Sequence, residues 1–131
     1  MAGYSGKPLG EKLGVKPGLK LYVDRQTDAG PVDLDLGAPY ATRLPKQVDI
    51  TLVFCTQRAR LDRRLPTLIE RTPPNGMIWV CWPKKSSGRA TDLTENDVRA
   101  IGLAAGVVDV KVAAIDETWS GLKFVRRLRD R

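Results

Sequence analysis

Histidine is absent from all 131 residues. Its absence removes the commonest metal ligand and the side chain best suited to general-base work near neutral pH. Ser-His-Asp and Cys-His mechanisms are excluded with it. Cysteine is scarce, with only Cys55 and Cys81 present. Their spacing is not that of a zinc site, and both lie in apolar segments, where a thiol is most simply a small buried hydrophobe. A redox pair is open to them only if those segments form neighbouring strands. No apolar run approaches the ~20 residues that span a bilayer. Residues 1–18 lack the apolar centre of a secretory leader, so a cytoplasmic protein is expected. The phosphate-binding pattern Gly-x-x-x-x-Gly-Lys-Ser/Thr is missing. So are zinc-finger, helix-turn-helix and aromatic RNA-binding signatures.

What is present fits one small domain covering residues 1–131, with 1–18 as a more loosely packed N-terminal arm. A chain of this size buries roughly two-thirds of its unfolded surface, and apolar residues make up 42% of it. The formal net charge is +7, which invites a nucleic-acid partner. The distribution weakens that reading. Basic residues collect at Arg58, Arg60, Arg63 and Arg64, and again at Lys123, Arg126, Arg127, Arg129 and Arg131. Acidic residues are interspersed among them. Solvated faces account for most of this charge, with weak anion or nucleic-acid contact as the alternative.

The hydrophobic pattern reads as strands alternating with helices. A short helix is expected at Leu9–Leu13, ended by Gly14 and the Pro17-Gly18 turn. Leu19, Leu21 and Val23 alternate with polar neighbours in a first strand. Residues 24–47 are irregular, broken by Pro31, Gly37, Pro39 and Pro45, with Val32–Leu36 as a candidate short strand. Val48–Cys55 is a nearly continuous apolar run, as in a strand covered on both faces. Gln57–Arg71 carries Leu61, Leu65, Leu68 and Ile69 at helical spacing, with a kink expected at Pro66. After a Pro-Pro-Asn-Gly turn, Met77–Trp82 is a second buried strand. Thr94 and Asp97 form a shortened capping box for a helix that Gly106 ends. Val108, Val110 and Val112 alternate in a more exposed strand. Glu117–Gly121 is then a connection to an antiparallel strand through Leu122, Phe124 and Leu128. Parallel crossover units follow from this order. The expected fold is a three-layer Rossmann-like α/β sandwich, its sheet mostly parallel with an antiparallel C-terminal hairpin on one edge.

Two resemblances follow. From Val48 onward, the order of elements and the Pro-Pro-Asn-Gly turn resemble the second half of a class I methyltransferase-like Rossmann fold. The whole chain is similar to a family of small bacterial proteins grouped as a domain of unknown function. The matching strings are Ala2-Gly3-Tyr4-Ser5-Gly6, Pro8-Leu9, Trp82–Gly88, Thr91–Glu95, Val108–Val112 and Asp116–Val125. That likeness implies a fold and brings no activity. The methyltransferase likeness implies S-adenosylmethionine, whose sites use a glycine-rich turn after the first strand. Here that position reads Asp24-Arg25-Gln26-Thr27-Asp28-Ala29-Gly30. The strand-end acid is present and the glycine pattern is not. The stretch before Val48 is also too short for two more strands with their helices.

Ligands of open parallel sheets sit outside the carboxyl ends of the strands. Four loops should share that edge, after Val23, Cys55, Trp82 and Asp116. Lys84, Lys85, Ser86, Ser87, Gly88 and Arg89 could hold a phosphate or carboxylate by charge-assisted hydrogen bonds, or could form a solvated basic turn. Trp119 either caps the core or presents a face to a ligand. The candidate contact residues are Trp82, Lys84, Lys85, Ser86, Asp116, Trp119 and Lys123. No catalytic, metal or resident-cofactor set emerges. The leading expectation is a non-catalytic module that engages an anionic ligand or protein partner at this edge. The alternatives are a reduced enzyme using a nucleotide-type cofactor such as S-adenosylmethionine, and a weak nucleic-acid binder.

Overall fold

In the computed structural model, the described residues are 7–25, 30–31 and 34–131. The chain order is α1 (Leu9–Leu13), β1 (Leu21–Asp24), β2 (Ile50–Phe54), α2 (Arg58–Glu70), β3 (Met77–Pro83), α3 (Glu95–Ala105), β4 (Val107–Ala114) and β5 (Trp119–Arg126). The five strands form one sheet in the order β1-β2-β3-β5-β4. β1, β2 and β3 run parallel, while β5 is antiparallel to both β3 and β4. This is the mostly parallel Rossmann-like sheet with a C-terminal hairpin that the apolar pattern implies.

Both faces of β2 and β3 are covered, which is why Ile50–Phe54 and Ile78–Trp82 are buried without alternation. One face packs under Leu61, Leu65 and Leu68 of α2 and Val98 and Ile101 of α3, against Val53, Ile78, Val80, Trp82, Leu122 and Phe124. The other face holds Leu52, Phe54, Trp79, Cys81 and Trp119 under Leu13 and Leu36. The layers are therefore unequal: two full helices on one side, one short helix and irregular chain on the other. Gly102 lets α3 lie directly on the sheet. A Cβ there would sit 2.1 Å from the ring of Phe124. Gly106 then ends α3 in the left-handed region, φ 102°.

Several sequence expectations change. α2 runs unbroken through Pro66. Pro66 and Asp62 both lie on the exposed side, where water can satisfy the Asp62 carbonyl that the missing proline N–H leaves free. Val32 and Asp33 of the candidate short strand lie outside the described residues, and Leu34–Leu36 is not a strand. The β4–β5 connection is shorter than expected, because β5 already begins at Trp119, and β5 ends at Arg126, leaving Leu128 exposed in a 3-10 turn beyond it. Asp116 Oδ1 accepts the N–H groups of Thr118 at 2.8 Å and Trp119 at 2.7 Å, closing a tight turn. The antiparallel strand β5 lies inside the sheet and β4 takes the edge. Burial explains the order: Gly121, Leu122 and Phe124 are covered, while Val110 and Val112 are exposed.

The two cysteines do sit on neighbouring strands but face opposite ways. Phe54 is the register partner of Cys81, so Cys55, one residue on, points to the α2–α3 side while Cys81 points to the α1 side. Both are buried and unbridged. Burial pushes the Cys81 thiol well above its ordinary pKa. This geometry rules out a disulfide between them.

Helix α3 starts on a complete capping box. Thr94 Oγ1 accepts the Asp97 N–H at 3.2 Å, and Asp97 Oδ2 accepts the Thr94 N–H at 3.0 Å. The Thr94 hydrogen bonds hold the Asp97 carboxyl below its usual pKa, and the Arg99 hydrogen bond does the same for Asp109. A carboxylate whose folded pKa is depressed stabilises the fold above the unfolded pKa, and that stability is lost as pH falls through the folded one. Chemical denaturation midpoints should therefore fall between about pH 5 and pH 2. Asp97→Asn and Asp109→Asn should each lose less over that window than the parent chain.

Candidate functional site

The loop after β3 is tied to the β4–β5 turn by the Lys84 N–H, which donates to the Thr118 carbonyl at 2.8 Å. It then folds into a single 3-10 turn, Lys85–Ser87, closed by Gly88 at φ 72°. Ser87 Oγ donates to the Lys84 carbonyl at 2.6 Å and fixes the loop from inside. Opposite it runs the segment 90–94, anchored to the end of β2. Thr91 Oγ1 donates to the Thr56 carbonyl at 2.7 Å, and the Asp92 N–H reaches the same oxygen at 3.2 Å.

Asp92 also completes α2. Gln57, at the N-cap position of that helix, offers no side-chain hydrogen bond. Asp92 Oδ1 instead accepts the Arg58 N–H at 2.8 Å from across the chain. Asp92→Ala should cost about 1 kcal/mol, the usual worth of an N-cap, read as a lower denaturant midpoint with unchanged slope.

Between the two segments lies a groove of about 540 Å³, lined among others by Trp82, Lys84, Lys85, Leu93, Glu95 and Ser120. Its size suits a small organic ligand. Its charges are unequal in availability. Asp92 is engaged as the α2 cap, and Glu95 accepts Arg99 Nη2 at 2.6 Å. Among the described residues, the ammonium groups of Lys84 and Lys85 make no hydrogen bond or ion pair. The groove thus offers two uncommitted cations beside an apolar wall of Trp82 and Leu93.

The sequence-derived candidates divide three ways. Trp82, Lys84 and Lys85 line the groove, and Ser86 stands exposed in the 3-10 turn beside it. Asp116 closes the hairpin turn. Trp119 lies on the opposite face from Trp82: Pro83 is its register partner, one residue past Trp82. It is 2% exposed, meets Phe54 edge-on at 5.2 Å, and carries the Arg89 guanidinium 5.1 Å above its ring. It caps the core. Lys123 pairs with Trp79 and Lys111, far down the strands from the carboxyl edge, and does not join the others. Thr91, Asp92 and Leu93 also line the groove and were not among the candidate contact residues. The weak N-cap at Gln57 was the available signal that an acceptor had to arrive from elsewhere.

The basic runs prove largely structural. Arg126 Nη2 donates to the carbonyls of Ile69 at 2.7 Å and Thr72 at 2.6 Å, closing the end of α2. Arg127 reaches the Leu103 carbonyl in α3, and Arg58 pairs with Asp97 at 3.4 Å.

At the end of β1, Asp24 is fully buried. Its carboxylate takes Arg64 Nε at 2.6 Å, and Arg64 Nη2 donates to the Tyr22 hydroxyl at 3.1 Å. Burial opposes the guanidinium's charge, but the hydrogen bond and charge of Asp24 outweigh it, so the Arg64 pKa rises. Burial and the facing Asp24 charge raise the Tyr22 pKa. Beyond Asp24, Arg25 Nη1 turns back to the Pro31 carbonyl at 3.1 Å.

Against solved structures the likeness is clear in fold and low in sequence. A SAM-dependent methyltransferase from Aquifex aeolicus superposes with TM-score 0.61 at 11% identity, covering 87% of this chain and 85% of that one. Magnesium protoporphyrin IX methyltransferase (ChlM) from Synechocystis PCC 6803 with bound SAM gives 0.58 at 13%, covering 85% and 71%. The fold is Rossmann-like and methyltransferase-like. Ribosomal protein L11 methylase from Lactobacillus delbrueckii subsp. bulgaricus gives 0.57 at 10%, covering 91% and 75%. Against ChlM with bound SAH, this chain spans 50% of the neighbour's length. No family model matches the chain, and no curated protein matches it by sequence. The likeness to a family of unknown function therefore gains no support from these comparisons.

Two of these neighbours are named as SAM-dependent or SAM-bound, and the described residues at the end of β1 can be tested against such a ligand. Asp24 and Gly30 do not fit it. Asp24 has no exposed surface and its carboxylate already holds Arg64. Gly30 lies against Phe54, where a Cβ would come within 2.6 Å of the ring, so that part of the loop is folded down onto the core. Residues 26–29 lie outside the described chain.

Proposed function

We propose that this methyltransferase-like domain is a binding module, and that the groove between the Lys84–Ser87 loop and the Thr91–Glu95 segment takes a small anionic ligand. The ligand would set a phosphate or carboxylate on Lys84 and Lys85 and an apolar body against Trp82 and Leu93. One observation carries the reading: both acids of the groove have partners within the chain, and among the described residues both lysines lack one. A desolvated anion is recognised by free cations more strongly than by cations already neutralised.

The reading stops at binding. Adenosine monophosphate, with an aromatic body and one phosphate, is a suitable probe. Calorimetry should show saturable binding, weakened roughly tenfold or more in the Lys84→Ala, Lys85→Ala double variant. Equal affinity in the two proteins would sink the proposal.

The fold itself favours a second reading, a reduced enzyme with a nucleotide-type cofactor. It predicts heat and thermal stabilisation with S-adenosylmethionine. The Asp24–Arg64 pair argues against that outcome, and a silent titration removes the reading.

A further inference from the structure

The two edges of the sheet are treated differently. β1 is closed by the chain itself: Val23 N–H donates to the Ala41 carbonyl at 3.0 Å, and Ala41 N–H donates to Leu21 at 2.8 Å. Among the described residues, β4 has no such cover. Beyond its ladder with β5, no backbone–backbone hydrogen bond of Val107–Ala114 occurs among the described residues. Val110 and Val112 are 54% and 46% exposed there. An open edge with exposed valines is a template for another strand.

The charge around this edge is one-sided. A bulge between Asp109 and Lys111 shifts the register. Asp109 consequently stands opposite Phe124 and bonds Arg99 of α3 at 2.9 Å, on the α3 side. Lys111 stands opposite Lys123 on the α1 side. The bulge thus withdraws the strand's one carboxylate from the lysines. Like charges directly opposite on a sheet destabilise it, and burial together with Lys111 lowers the Lys123 pKa. A groove of about 430 Å³ runs beside this pair, between α1 and Lys111–Ala114, and brings in Lys7, Glu11 and Lys12. One acid there stands among four lysines.

We infer that Lys111–Ala114 is a docking edge for an extended, acidic segment of a partner protein, added to the sheet as a sixth strand. Its backbone would satisfy the open edge, its acidic side chains would meet Lys111 and Lys123, and alternate apolar ones would cover Val112. The bulge limits the ladder to the residues beyond Lys111, which suits a short, reversible contact. Nucleic acid would use the lysines alone and leave the valines and backbone edge unmatched. A second copy of β4 would bring more lysine to the α1 face, because its Asp109 lies on the other one.

The test is an amide NMR titration of the full chain with a ten-residue peptide alternating glutamate and valine, and with its lysine–valine counterpart. The acidic peptide should shift Val110–Ala114 and Lys123 in a saturable way, and the basic one should not. Lys111→Glu, an exposed substitution, should weaken the acidic peptide roughly fivefold or more and admit the basic one. Equal binding of both peptides, no saturation by about 1 mM, or an unchanged affinity in Lys111→Glu would overturn the inference. So would stronger occupation of the same amides by a short oligonucleotide, or concentration-dependent dimerisation abolished by Lys111→Glu.

Discussion

Arg64→Ala should destabilise the domain by about 3–5 kcal/mol, the cost of breaking a buried ion pair by removing one member. Asp24 has no exposed surface, and the Arg64 guanidinium 2.6 Å away brings the opposite charge to it. Removing Asp24 should cost less. The Arg64 side chain keeps 19% of its surface exposed and can turn its charge toward water, so Asp24→Ala should lose about 1–2 kcal/mol, near the worth of a hydrogen bond to a charged group. Replacing both by apolar residues of similar volume should recover much of the loss. Denaturant unfolding of the two single variants and the double variant closes the cycle. Equal losses for the two single variants would show that the pair is not buried asymmetrically.

Trp79→Ala should cost a comparable amount, about 3–5 kcal/mol. Trp79 lies at the middle of β3 with no exposed surface, and Gly121 packs close against its ring. Its Nε1–H donates to the Leu13 carbonyl at 3.1 Å, which fastens α1 to the sheet. The substitution opens a large cavity and frees that carbonyl together. Trp79→Phe keeps most of the volume and loses the hydrogen bond, so it should cost nearer 1 kcal/mol. Hydrogen exchange of Lys12–Val15 should rise in both variants, and unchanged protection there would contradict the role given to the indole.

The parallel core was legible because its strands are covered on both faces and therefore read as unbroken apolar runs. Ile50–Phe54 and Met77–Pro83 fall within a residue or two of their sequence boundaries. The capping box at Thr94 and Asp97 was legible for a different reason: cap and partner lie three residues apart. What escaped notice depended on distance along the chain. Asp92 caps a helix 34 residues earlier in sequence, and Arg64 neutralises an acid 40 residues before it. Pattern and spacing carry no record of such pairs. The placing of Trp119 beside Trp82 failed on register alone, since a one-residue offset in β5 sends the two indoles to opposite faces. Lys123 is separated from the basic loop by distance along β5, since it stands opposite Trp79 and not at the carboxyl end of β3.

The central claim is that ligand binds beside Lys84 and Lys85, away from the end of β1. Amide NMR of the intact chain, titrated in parallel with adenosine monophosphate and S-adenosylmethionine, tests it most directly. The account predicts saturable shifts with the monophosphate at Lys84–Arg89 and Thr91–Glu95, and none at Asp24, Arg25 or Gly30 with either compound. Shifts centred on Asp24–Gly30 with S-adenosylmethionine, and a silent Lys84–Glu95 region, would contradict it.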